Sequence, residues 1–130
     1  MRLTPEQRQS VWDKSNGLCW YCGDVLPKKG WNADHLKPIG RRSAYNRHTG
    51  KRKATGKLRH PENDVIENLV PSCATCNSWK GNMSIESFRK VLTNLSNTIL
   101  NHANVRMAKR YGIVEIEPQK IVFWFEKHID

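Results

Sequence analysis

Asn68-Leu69-Val70-Pro71-Ser72-Cys73-Ala74-Thr75-Cys76-Asn77-Ser78-Trp79-Lys80-Gly81 is the stretch on which the fold turns. Residues 65–70 read as a strand that leads into a Cys-x-x-Cys turn. Asn77 to Lys80 then continue as one helical turn closed by Gly81. The Cys73/Cys76 pair has a counterpart, Cys19/Cys22, in Cys19-Trp20-Tyr21-Cys22-Gly23. Each pair can grip one ion with two thiolates, and together they supply the four sulfurs of a closed tetrahedral zinc site. No cysteine is left over. A redox role would call for a thioredoxin-like pattern, which is missing. A four-thiolate zinc has no open position, so its expected role is structural. It would tie the front of the chain to its middle, closing the 50 residues between Cys22 and Cys73 into a loop held at its base.

Reading outward, Thr4-Pro5 looks like an N-cap followed by proline at the first helical position. That helix runs to about Lys14 or Ser15 and stops at Asn16-Gly17, with Val11 and Trp12 turned inward. Trp31 to Leu36 reads as a short strand. Residues 40–62 show no convincing period and read as a long loop or a basic hairpin. Ser84 can cap a further helix, on which Ile85, Phe88, Leu92, Leu95 and Ile99 recur every three or four residues as one buried stripe. Asn94, Asn97, Asn101 and Asn104 weaken that helix and leave its end open, with Gly112 as the expected stop. Ile113 to Glu117 and Ile121 to Glu126, split by Pro118-Gln119-Lys120, read as a β-hairpin whose Phe123-Trp124-Phe125 is core or a dimer contact. There is no internal repeat, so the chain reads as a single α+β domain.

Composition narrows the partners. An apolar content of 38% is thin for a chain of 130 residues, and a structural metal would help it. No apolar run approaches the ~20 residues of a membrane span, and the first residues lack a signal-peptide stretch. The expectation is a soluble, intracellular (cytoplasmic) protein with no membrane partner, in which paired thiols serve as metal ligands rather than disulfides. The net charge is +10, and residues 36–60 hold nine Lys or Arg and no acid. Outside that segment the charges nearly balance. Concentration in one stretch favours a polyanion over general solubility as its purpose.

Inside the loop closed by the cysteines lies Ala33-Asp34-His35-Leu36; Asn68 precedes the second knuckle, and Asn77 and Lys80 follow it. Singly, each has an ordinary explanation as a turn, cap or surface residue. In this order around paired knuckles, over residues 16–83, they resemble the HNH endonucleases, in the branch that carries a four-cysteine zinc. The Phe-Trp-Phe-Glu end, Phe123 to Glu126, is similar to the tails of some phage and prophage members. The resemblance implies a ββα-metal (His-Me finger) core stapled by zinc, with flanking helices and the C-terminal β-hairpin over residues 84–130. It implies Asp34 as a ligand of the catalytic metal, His35 as general base, and Asn68 as the residue that holds the loop and helps orient the base. Asn77, where the family name implies His, would supply an amide oxygen to the metal, an H-N-N variant. Lys80 would lie near the phosphate.

The chemistry coheres. Histidine can take a proton from water near neutral pH. Asp and Asn oxygens suit Mg²⁺ or Mn²⁺, and such an ion can screen charge on the phosphate and the departing oxygen. Adjacent strand residues face opposite ways, so Asp34 and His35 can share a site only where the strand bends or ends. The basic insert is expected to hold the nucleic-acid backbone through Arg41, Arg42, Arg47, Lys51, Arg52, Lys53, Lys57 and Arg59. His48 and His60 also lie there, outside any motif. The expected activity is metal-dependent hydrolysis of DNA phosphodiesters by a monomer or homodimer. RNA stays open as a substrate, though no RNA-binding motif points to it. The rivals are a non-catalytic zinc-ribbon nucleic-acid binder and a zinc module for protein interaction.

Overall fold

A computed structural model of the chain describes residues Arg2 to Ile129. Helix α1 spans Pro5–Asp13. Thr4 caps it reciprocally: the Gln7 amide donates to Thr4 Oγ1, and the Thr4 amide donates to Gln7 Oε1. The helix ends through Asn16 and Gly17, both left-handed (φ 52° and 82°). Gly17 is doubly required, because a Cβ there would sit 2.5 Å from the Trp12 ring. Val11 is fully buried, and Lys14 donates to the carbonyls of Ile66 and Leu69, fastening α1 across the middle of the chain.

Strand β1, Asn32–His35, pairs antiparallel with a strand far along the chain, Leu69–Ser72. Between them lies a second antiparallel pair, β2 (Arg41–Asn46) and β3 (Lys51–Leu58), so the late strand is β4. The basic insert is therefore a hairpin rather than a loop. β4 starts at Leu69, later than the apolar run from Val65 implies, because Ile66–Asn68 winds into a 3₁₀ turn. Helix α2, Ala74–Lys80, follows at once and ends at Gly81. Among the described residues the chain forms a small α+β structure of short antiparallel sheets and helices. None of those helices is long and apolar enough to cross a membrane.

Two expectations fail in the C-terminal third. The stripe from Ile85 to Ile99 is not one helix. Helix α3 covers Ile85–Thr93 under a Ser84 cap, and a separate turn, α4, covers Leu95–Thr98. The break falls at Asn94, whose side-chain oxygen accepts from Asn97 Nδ2. Asparagine competes with the helix in this way by bonding locally. Helix α5, Ala103–Arg110, then stops near Gly112 (φ 75°).

The C-terminal β-hairpin does not form. Residues 113–123 are irregular, and Trp124–His128 is a short helix, α6. The amides of Trp124 and Phe125 donate to the carbonyls of Tyr21 and Trp20 in the first knuckle, so they are unavailable to a partner strand. Phe123 sits edge-on to Tyr21 and stacked on Phe88. Arg89 on α3 locks the tail, gripping Glu126 with two bonds of 2.7 and 2.8 Å and donating to the Ile121 carbonyl. The core thus gathers Val11, Trp20, Tyr21, Leu26, Trp31, Leu69, Val70, Phe88 and Phe123 around Cys19. Each large side chain so buried contributes about 1.5–3 kcal/mol.

Candidate metal centre and candidate catalytic cleft

The first knuckle is a tight turn: the Cys19 amide donates to the Asp24 carbonyl and the Gly23 amide to the Cys19 carbonyl. Gly23 has φ 80°, and a Cβ there would meet Trp124 at 2.7 Å. In the second knuckle, Cys73 is the N-cap of α2, its Sγ accepting from the Cys76 amide. The knuckles are joined by the Cys73 amide donating to Cys19 Sγ and the Trp20 amide donating to the Pro71 carbonyl. All four Sγ atoms lie within 4.8 Å of one another, and Cys22 and Cys73 Sγ are 4.0 Å apart. Four sulfurs about 2.3 Å from one zinc would be roughly 3.8 Å apart. The four cysteines are therefore positioned to bind a metal ion such as zinc.

Their protonation points the same way. The Cys19 thiol is pushed down to about 4, first by a hydrogen bond from Cys76. Cys22 is pushed up by burial and then by the neighbouring Cys19, and Cys76 is pushed up by its bond to Cys19 and by burial. Cys19 is favoured as the thiolate, and Cys22 and Cys76 resist joining it. A dication at the centre removes that conflict.

A cleft of about 610 Å³ opens beside the β1–β4 pair. Asp34, His35 and Asn77 all line it, with Arg8, Trp31 and Arg41. β1 ends at His35, and there the two adjacent residues Asp34 and His35 line the same cleft. Asp34 is nearly buried. Its Oδ2 accepts from Tyr21 Oη and pairs with Lys80 Nζ at 3.3 Å. Among the described residues its Oδ1 has no hydrogen bond. Burial, and then the Asp34 charge, push the Tyr21 hydroxyl far up, so it remains a donor.

His35 Nε2 lies 2.9 Å from Asp64 Oδ1. That bond, first among the causes, holds the Asp64 carboxyl below its usual range. A carboxylate only accepts, so Nε2 is the donor of this bond. Sequence reasoning missed Asp64, which falls in no motif. The available signal was positional, since Glu62 and Asp64 are the first acids after the acid-free stretch.

Asn68 spans the base of the insert. Its Oδ1 accepts from the Lys37 amide, and its Nδ2 donates to the Lys37 and Asn63 carbonyls at 2.8 and 2.7 Å. It bonds the loop and does not line the cleft. Lys80 departs from expectation. Its side chain is 0% exposed, and Nζ donates to the His35 carbonyl at 2.8 Å while facing Asp34. It lies behind the site, where a phosphate does not reach. The arginines that do line the cleft are Arg2, Arg41 and Arg8, the last fixed to the Trp31 carbonyl at 2.7 Å and lying over the Trp31 ring.

Of the insert's basic residues, Arg41, Arg42, Arg52 and Arg59 surround a second hollow, and Arg47, Lys51, Lys53 and Lys57 lie exposed on the hairpin. His48 is exposed, and His60 pairs with Glu62 at 3.3 Å; neither lines the cleft.

Fold and site together define a small α+β chain with four cysteines positioned to bind a metal ion and a polar cleft beside the β1–β4 pair. In comparisons with protein-family models, curated proteins and solved structures, nothing matches this chain.

Proposed function

We propose that the protein is a metal-dependent endonuclease of the HNH (ββα-metal) type that hydrolyses phosphodiester bonds in DNA, with zinc in its four-cysteine centre. The observation that carries this reading is the convergence of Asp34, His35 and Asn77, from the end of β1 and from α2, on one cleft. The chain order β1, β4, α2 is the order such a core needs.

Asp34 and Asn77 offer hard oxygen donors to one divalent ion, in a cleft with room for phosphate and water. When bound, Mg²⁺ or Mn²⁺ there supplies Lewis acidity toward the phosphate and the leaving oxygen. His35 Nδ1 takes a proton from water, whose oxygen attacks phosphorus as the bond to the 3′ oxygen breaks. Asp64 holds the imidazole in the tautomer that leaves Nδ1 basic. Asn68 fixes the loop that carries Asp64, through the Asn63 carbonyl beside it. Lys80 neutralises Asp34 from behind, Tyr21 holds the same oxygen, and Arg8 and Arg41 meet the phosphate side.

The test is supercoiled plasmid incubated with zinc-loaded protein and Mg²⁺ or Mn²⁺, beside a metal-free control and His35→Ala. Metal-dependent nicking or linearisation, abolished by His35→Ala with zinc content and fold intact, is the expected result. A folded, zinc-loaded protein that binds DNA but cuts neither plasmid, branched DNA nor RNA would sink the proposal and leave a zinc-ribbon binder as the better account.

A further inference from the structure

Every residue from Arg41 to Lys57 is exposed, so the β2–β3 hairpin has no core face. A two-stranded ribbon with nothing packed on either side is marginal in water unless something else selects for it. Its cations are distributed over both faces. Paired residues share a face, which puts Arg52 with Tyr45 on one side, and Lys53 with Ala44 and Lys51 with Asn46 on the other. The Arg52 guanidinium lies over the Tyr45 ring and donates to Ser43. The tip is ordered by its own bonds. Asn46 Oδ1 accepts from the amides of His48 and Thr49, and the Gly50 amide donates to the Asn46 carbonyl. At its base, Arg41 lines both the catalytic cleft and the arginine-lined hollow it shares with Arg42, Arg52 and Arg59.

We infer that this ribbon is inserted edge-on into the major groove of duplex DNA, between the two phosphate walls, and so selects B-form duplex and sets the strand into the cleft. The inference deepens the nuclease reading and rests on it for its substrate. A ribbon lying on a flat polyanion needs cations on one face only; cations on both faces match a groove with phosphates on both sides. The dimensions agree. Edge-on, the two strands, about 4.8 Å apart, lie along a groove about 8.5 Å deep, the side chains of the two faces span its width of about 12 Å, and the eight residues of β3 reach roughly 27 Å. The deep, narrow major groove of an A-form RNA duplex does not admit them. Arg41 makes the phosphate track continuous from ribbon to cleft.

The experiment uses the zinc-loaded protein without Mg²⁺ or Mn²⁺ and measures binding to a 24-base-pair DNA duplex and the matching RNA duplex over a salt series. Dimethyl sulfate footprinting of the DNA accompanies it. Guanine N7 lies in the major groove and adenine N3 in the minor, so the footprint names the groove. The expected results are DNA duplex bound at least tenfold tighter than RNA duplex and protection at guanine N7. In Lys51→Ala/Arg52→Ala/Lys53→Ala, binding weakens and the slope of log affinity against log salt falls by about 0.9 per lost phosphate contact. Equal binding of RNA duplex, protection confined to adenine N3, or unchanged binding by the triple variant would overturn the inference. Plasmid cleavage is scored on both proteins. Guanine N7 protection with no cleavage defeats the nuclease reading and leaves the ribbon standing. Cleavage unaffected by the triple substitution defeats the ribbon and leaves the nuclease.

Discussion

Lys80→Met separates a buried structural cation from a phosphate ligand. The Lys80 side chain is 0% exposed and Asp34 only 10%, with Nζ 3.3 Å from Asp34 Oδ2, 2.8 Å from the His35 carbonyl and 5.8 Å from the Tyr21 ring centre. Methionine keeps most of the volume, so little cavity forms, but Asp34 loses its counter-charge in a site that water barely reaches. Removing one partner of a buried pair costs about 3–5 kcal/mol. At about 2.1 cal/mol/K per residue, the unfolding entropy of this chain converts that to a fall in Tm of roughly 11–18 °C. Circular dichroism melts with zinc held in excess, together with urea midpoints, would measure it. In Asp34→Asn/Lys80→Met no charge is stranded, so at least half of the loss should return, a coupling that a double-mutant cycle reads directly. The reasoning is refuted if Lys80→Met melts within about 4 °C of the parent protein. If it also loses cleavage at that stability, Lys80 acts in the cleft after all.

Asp64→Asn should leave the melting temperature within a few degrees but lower kcat roughly 10- to 100-fold with KM little changed, as for other groups that orient a functional histidine. Nitrogen NMR of His35 should show the Nε2–H tautomer in the parent and a mixture in the variant, and an unchanged tautomer would remove Asp64 from the mechanism. Zinc withdrawal by a chelator, or Cys76→Ser, should abolish the cooperative melt, since a structural zinc contributes on the order of 10 kcal/mol; a melt that survives with no bound metal would show the core standing on its own. Glu126 is held below its usual range, chiefly by Arg89. Its contribution is therefore complete above about pH 5 and lost as pH falls through the carboxylate range toward the depressed folded value. Glu126→Gln should cost about 1 kcal/mol at pH 7 and almost nothing at pH 2, as read from urea midpoints at the two pH values.

The residues that announced themselves in the sequence did so through local chemistry. Thr4-Pro5 and Ser84 cap helices because a side-chain oxygen reaches an amide three residues on. The two Cys-x-x-Cys pairs declare their cluster because i,i+3 thiols must converge to hold an ion. Asp34, His35 and Asn77 could be nominated from their order alone, and the acid-free run of 36–60 marked the ribbon as basic. Everything that depended on a distant partner was decided by the tertiary structure. The aromatic tail alternates like a strand, yet becomes a helix because its amides find the carbonyls of Trp20 and Tyr21 some hundred residues earlier. Lys80 reads as a surface cation until the fold buries it behind Asp34. Asp64 has no motif and meets His35, 2.9 Å away, only because the return of the chain from the ribbon brings it there. Capping and knuckle bonds span a few residues and are written into neighbouring letters. Charge pairing and strand pairing are settled by whichever group long-range packing places opposite, and no local pattern records that choice.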